Sequence, residues 1–258
     1  MKKKNPVAPI YITLMLLTMY IPIFLVIIYS FNVSKLSSVW EGFTLDWYRE
    51  LFADDSYLDA LINSLILACS SSLAAAVIGT LGAFGLRKVK LKTGGFIEYL
   101  STLPIMIPEI ILGLVFMVFF SLIGIPFGMG ALIIAHTTFC TPYILMQVKA
   151  RLTGMDKSIE EASIDLGASR FRTFINIILP NIMPAIASGM LLAFAMSFDD
   201  VIISVFVTGV NSNTLPLKIY TQLKTGITPK VNALCTLMFL STVVLCSLSA
   251  YLGRAKKK

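Results

Sequence analysis

Six long apolar stretches, separated by short polar connections, dominate the chain: 7–31, 58–86, 96–123, 129–148, 182–208 and 231–252. A helix needs about 20 mostly apolar residues to cross the hydrocarbon layer of a bilayer. Every stretch reaches that length, and the longest are expected to tilt or to project beyond the layer. The pattern predicts an all-α membrane protein of six transmembrane helices. Lys2, Lys3 and Lys4 precede the first stretch in the manner of a secretory signal. The apolar run is too long for a signal core, and no small-x-small cleavage site follows it, so it reads as a retained first helix.

Composition supports this picture. Of 258 residues, 57% are hydrophobic and 14% are charged, against about 25% charged in a soluble domain. The net charge of +7 is unevenly placed. Most basic residues lie before the first helix, in the second and fourth connections, and in the tail. The positive-inside rule then puts both termini and the even-numbered connections in the cytoplasm. The charge is thus a topology signal, and nucleic-acid binding is not implied. Cys69, Cys140, Cys235 and Cys246 all fall in apolar runs without a CxxC pair, as expected of small packing residues. The connection 32–57 carries Glu41, Asp46, Glu50, Asp54 and Asp55 with Trp40 and Trp47. Two readings stand: tryptophan anchors at the lipid surface, or a solvated loop that caps the next helix.

The fourth connection, 149–181, is long and patterned. Ile159, Ala162, Ser163 and Leu166 follow i, i+3, i+4, i+7 spacing and predict a short helix with a small, mildly apolar face. Asp156 or Ser158 is placed to cap its start, and Glu160 and Glu161 lie in its first turn, where negative charge is favoured. Gly167 stands where a helix commonly ends in left-handed backbone. Ser169 then caps a second short helix with Phe171, Phe174, Ile175 and Ile178 on one face, the pattern of a helix at a membrane surface. Pro180 and Pro184 are expected to break the path before the fifth membrane helix. By pattern alone, this elbow is either a docking surface or an ordinary amphipathic connection.

The spacing inside the elbow resembles a known signature. Glu161-Ala162-Ser163, three residues, Gly167, nine residues, and Ile177-Ile178-Leu179-Pro180 are similar to the EAA motif of bacterial ABC importer permeases, with serine replacing the second alanine. The resemblance implies the type I ABC importer permease (MetI-like) fold, with a core over 57–252 after an N-terminal helix and outer loop over 1–56, and a basic tail over 253–258. It also implies that the elbow couples the permease to a separate ATPase. Glu161 would then make a polar contact, Ala162 and Ser163 would allow close approach, Gly167 would make the turn, and Asp165 and Pro180 would belong to the same surface. Implied partners are a second permease, two ATPase subunits that use ATP and magnesium, and an extracytoplasmic solute-binding protein, in the cytoplasmic membrane of a bacterium. The chain has no G-x-x-x-x-G-K-[ST] phosphate loop of its own, and no cofactor is expected on it.

Three carboxylates fall within the apolar stretches, where each costs roughly 2.5–3.5 kcal/mol at a helix centre. Glu109 is expected midway along the third helix, and Asp199 and Asp200 in the outer half of the fifth. No basic residue lies at matching depth in any membrane helix, so neutralisation by a salt bridge is not expected. The acids are candidates for lining a path for cations. Glu109 would share a face with Gly113 and Phe116, and Asp199 with Ala195, Met196, Ile203 and Phe206. Aromatic rings beside carboxylates suit an amine cation. The bland alternative is that these acids hydrogen bond to neighbouring helices or sit protonated. His136, the sole histidine, is expected to pack or to hydrogen bond, and no metal site is expected. Ser197-Phe198-Asp199-Asp200-Val201, Thr208-Gly209, 214–220 and 228–233, together with Asn63-Ser64-Leu65 and Pro108-Glu109-Ile110, resemble the permeases of spermidine/putrescine importers. That resemblance implies a polyamine cargo. Rival readings are the same fold carrying another organic cation or an inorganic ion, and an autonomous secondary transporter, which usually shows internal repeats. No catalytic constellation supports a membrane enzyme.

Overall fold

The computed structural model describes residues 7–34, 39–88, 92–226 and 228–255. Twelve helices follow in order among them: α1 (Val7–Tyr29), α2 (Asp46–Phe52), α3 (Asp55–Lys88), α4 (Lys92–Met106), α5 (Glu109–Ile123), α6 (Met129–Thr153), α7 (Lys157–Asp165), α8 (Arg170–Thr173), α9 (Leu179–Asp199), α10 (Ile202–Val207), α11 (Leu215–Thr225) and α12 (Pro229–Ala255). A π-turn, Phe174–Ile178, joins α8 to α9. The described residues are all-helical apart from turns and one isolated antiparallel bridge between Asn32 and Phe43. Among the described residues, four helical stretches are long and apolar enough to cross a membrane: Pro9–Tyr29, Asp55–Arg87, Met129–Thr153 and Arg170–Asp199. A fifth arises if α4 and α5 form one span. The long helix α12 runs through the range expected for the sixth.

Two expected spans are interrupted. The third, 96–123, is bent by 106° between α4 and α5. Proline explains the bend. Pro108 lacks an N–H, and it disfavours helical backbone at the preceding residue. Pro108 itself is extended (φ −54°, ψ 133°), and its carbonyl accepts the N–H groups of Ile111 and Leu112 to start α5. Glu109 therefore lies in the first turn of α5, not midway along a helix. The fifth span, 182–208, is broken after Asp199. Asp200 is extended (φ −68°, ψ 130°), and the chain restarts as the short α10.

The start of that span also differs from expectation. Pro180 and Pro184 do not stop the helix, which runs without a gap from Arg170 to Asp199. A proline ring collides with the carbonyl four residues back, which for Pro180 belongs to Asn176. Asn176 sits in the π-turn, whose wider i→i+5 ladder moves that carbonyl aside.

The chain divides into two compact units, one drawn from Met1–Leu58 and Ile219–Lys258, the other from Asp59–Lys218. In the first, α1 and α2 pack on α12. The side chains of α1 are exposed on every face, including Ile10, Leu14, Leu17 and Phe24, as expected where lipid is the solvent. The connection after α1 is folded. Asn32 is fully buried. Its carboxamide donates to the Val39 carbonyl at 2.6 Å and accepts the Glu41 N–H at 2.9 Å. Trp47 donates to the Asn32 carbonyl at 2.7 Å, so this tryptophan is tied inward. Lys230 binds Asp54 at 2.7 Å and lies over the Tyr57 ring. Hydrogen bonding by Lys230 and Ser56 pulls the Asp54 carboxyl from the ordinary 3.8 to about 2.

In the second unit α6 packs along α9, α4 lies against α6, and α10 is held between α5 and α6. Leu132, Ile144, Val148, Leu152, Ile178, Ile182 and Ile203 are buried at its centre. Gly113 of α5 is an obligate small residue. A Cβ there would stand 2.5 Å from the Phe206 ring of α10. Its absence lets the two helices touch, as small residues do between membrane helices.

Candidate functional site

The elbow is built by local capping. The Asp156 side chain accepts the Ser158 N–H at 2.9 Å and opens α7. This bond lowers the Asp156 carboxyl below the ordinary range. At the other end the Gly167 N–H reaches the Ile164 carbonyl at 2.8 Å, and the Ala168 N–H reaches Ser163 at 3.2 Å. Those two bonds form a Schellman end. They require left-handed backbone at Gly167, which has φ +87°. Ser169 caps α8 by accepting the Arg172 N–H, and the Ser163 and Thr173 hydroxyls meet at 3.0 Å to join the two short helices.

Of the expected coupling residues, Glu161, Ala162, Asp165, Gly167 and Pro180 are exposed, and Ser163 is half-buried by its bond to Thr173. Leu166 is 88% exposed and Phe171 75% exposed, with Ile159 and Ile164 also open. One contact escaped the sequence reading: Glu160 pairs with Arg87 at the end of α3, 3.3 Å apart. Phe174 packs on Phe84 of the same helix, with ring centroids 4.7 Å apart. The elbow is thus fastened to α3 at its back and open at its front.

At the two helix breaks the three acids part company. Glu109 is exposed at the start of α5, where the helix dipole favours negative charge. Asp199 is exposed as the last residue of α9. The final four carbonyls of a helix lack intrahelical partners, so this carboxylate adds to an end that is already negative. Asp200 is buried. It accepts the Ile203 N–H at 3.2 Å and the Ser204 N–H and hydroxyl at 2.9 Å each. His136 lies 3.4 Å away through Nε2, and its Nδ1 meets the Ser197 hydroxyl at 2.8 Å. Ser197 meets Ser71 of α3 at 2.9 Å.

This cluster corrects two expectations. A titratable base does lie beside one intramembrane acid. Asp199 does not share a face with Ile203 and Phe206, because the break separates them and Ile203 is fully buried. Glu109 does share a face of α5 with Gly113 and Phe116, but it alone is exposed, and the other two are buried. Phe116 is buried and stacks on Phe120 at 5.7 Å, while Phe206 closes over Gly113. His136 is a hydrogen-bonding residue, as expected. Ser71, Ser197 and Ser204 gave only a weak signal, as isolated hydroxyls in apolar runs.

Comparison with known proteins agrees with this architecture. Residues 75–257 match the family described as binding-protein-dependent transport system inner membrane component. The chain is 41% identical to the spermidine/putrescine transport system permease protein PotC of Escherichia coli K12, over 93% of this chain and 91% of that one. It is 40% identical to the putrescine transport system permease protein PotI of the same strain, over 93% and 88%. Among solved structures, a bacterial ABC transporter for import of alginate superposes with a TM-score of 0.73 at 12% identity, covering 96% of this chain and 94% of that one. The MetNI methionine ABC transporter gives 0.64 at 18% identity, covering 82% and 98%. Those two likenesses concern the fold alone. With most of its length matched by the family and 41% identity to a curated permease, the chain belongs to the binding-protein-dependent transport system inner membrane components, the membrane-embedded subunits of ABC importers.

Proposed function

We propose that this chain is one of two permease subunits of an ATP-driven polyamine importer in the cytoplasmic membrane of a bacterium. The observation that carries the cargo assignment is the exposed Asp199 carboxylate at the negative end of α9. Carboxylate and helix-end carbonyls together favour an ammonium group. Glu109 offers a second exposed acid on α5, and the similar permeases PotC and PotI are named for transport of the same class of cation. In this reading Glu109 and Asp199 touch the cargo. Phe116, Phe206 and Asp200 shape the path from behind.

The proposed topology has six spans with both termini in the cytoplasm, supported by the placement of lysine and arginine. The permease core covers 57–252, after a first helix and outer loop over 1–56 and before a basic tail over 253–258. The elbow then meets a separate ATPase through Glu161, Ala162, Ser163, Asp165, Gly167 and Pro180, with Leu166 and Phe171 as apolar contacts. A second permease, a pair of ATPase subunits and an external binding protein complete the assembly.

The test is uptake of labelled spermidine and putrescine by cells lacking their own polyamine importers. This chain is expressed there with its cognate partners, and with an ATPase-dead partner as control. Uptake that requires the active ATPase is the expected result. An assembled complex that takes up neither polyamine overturns the cargo assignment.

A further inference from the structure

Neighbouring acids at the end of α9 have opposite surroundings. Asp199 is exposed, and Asp200 is buried with both carboxylate oxygens engaged inside the chain. A residue whose oxygens already accept two backbone N–H groups and a hydroxyl has little left for a passing cation. Those bonds fix the backbone instead. They cap the first turn of α10, and His136 ties the same carboxylate to α6. His136 in turn joins Ser197 of α9 and, through it, Ser71 of α3. Four helices therefore meet at one turn of the chain.

We propose that Asp200 is a positioning residue for transport. Held by His136 and Ser204, it sets the turn that points Asp199 toward the cargo, and it does not touch the cargo itself. The proposal rests on the transport reading above, and it assigns adjacent acids different tasks. Asparagine caps a helix about as well as aspartate, whereas alanine does not. Asp200→Asn thus removes the charge and keeps an accepting oxygen for α10, whereas Asp200→Ala removes both.

Two measurements on the whole complex test the assignment. The first needs no cargo. Asp199→Cys is introduced with the four native cysteines replaced, and its labelling by a small cationic thiosulfonate is timed. Adding Asp200→Ala should slow labelling by roughly tenfold, and adding Asp200→Asn should leave it within about twofold. Unchanged labelling with Asp200→Ala overturns the proposal.

The second measurement is polyamine uptake by the reconstituted complex without the cysteine. Asp200→Ala should lower the maximal rate by roughly tenfold at unchanged KM, and Asp200→Asn should restore most of it. Combining His136→Gln with Asp200→Ala should add little further loss, because both act through one network. A KM raised by Asp200→Asn as much as by Asp199→Asn makes Asp200 a cargo contact and overturns the proposal. Should Asp200→Ala fail to assemble, the Asp200→Asn results decide alone. A wild-type complex without polyamine uptake defeats the cargo assignment, and the labelling experiment still decides the role of Asp200.

Discussion

The elbow and the paired breaks at Glu109 and Asp200 solve one problem in two ways. Each must end one helix and begin another without stranding backbone groups. The elbow does so with small local devices: Asp156 and Ser169 as caps and Gly167 as a left-handed terminator. It is exposed, so water serves whatever those devices leave over. The breaks at Pro108 and Asp200 interrupt stretches long enough to span a bilayer, where water is scarce and an unpaired backbone group is costly. There the chain places an acid at each new helix start. Glu109 relies on the dipole of α5, and Asp200 on direct bonds to α10. The exposed interruption tolerates ordinary capping, and the buried one recruits side chains from three other helices.

The largest expected effect comes from changing the terminator of the elbow. Gly167→Pro forces φ near −65° where the backbone has +87°. Uptake should fall by roughly 100-fold while the chain still reaches the membrane fraction, the size of a lost coupling free energy of about 3 kcal/mol. Normal uptake would remove the elbow from the coupling route. At the exposed acid of α5, Glu109→Gln should raise the KM for polyamine uptake by about tenfold, the loss of one charge-assisted bond. A KM that stays put would return Glu109 to a purely structural role. Gly113→Ala should destabilise the complex by about 1–3 kcal/mol through overpacking against Phe206, seen as a lower melting temperature in detergent.

The smallest effect belongs to the water-facing ion pair of the first unit. The folded-state pKa of Asp54 is depressed to about 2. Its contribution is therefore complete above the unfolded value and fades as pH falls from about 4 toward 2. Lys230→Met should cost no more than about 1 kcal/mol near pH 6, because the pair is partly open to solvent. The difference from wild type should shrink as pH falls through about 2 in thermal melts.

Helix positions were largely legible, because twenty apolar residues in a row have few other uses. The elbow was legible to the residue, since capping by Asp156, Ser169 and Gly167 depends on neighbours within four positions. The breaks were not. Pro104 and Pro108 both lie in the third apolar stretch, but which of them bends the chain depends on what α5 packs against. The break at Asp200 has no proline or glycine to mark it. It exists because His136, 64 positions away, and Ser204 supply bonds that an unbroken helix would forgo. Long-range hydrogen bonds of this kind leave no period in the sequence. The reverse error at Pro180 has the same origin. A proline rule presumes an α-helical ladder, and the π-turn removes the clash on which the rule rests.

That π-turn also sets a phase. It carries one residue more than an α-helical turn would, between an elbow fastened to α3 and a helix that ends at Asp199. Each residue of an α-helix advances the azimuth by about 100°. Rewinding Phe174–Ile178 as regular α-helix with no residue removed would swing the elbow by about that angle around the axis of α9. The front that carries Leu166 and Phe171 would then face elsewhere, although every residue of both elements remained. The five residues of the π-turn thus act as a gauge block, and the rotational alignment between the two ends of the helix is stored in their wider winding.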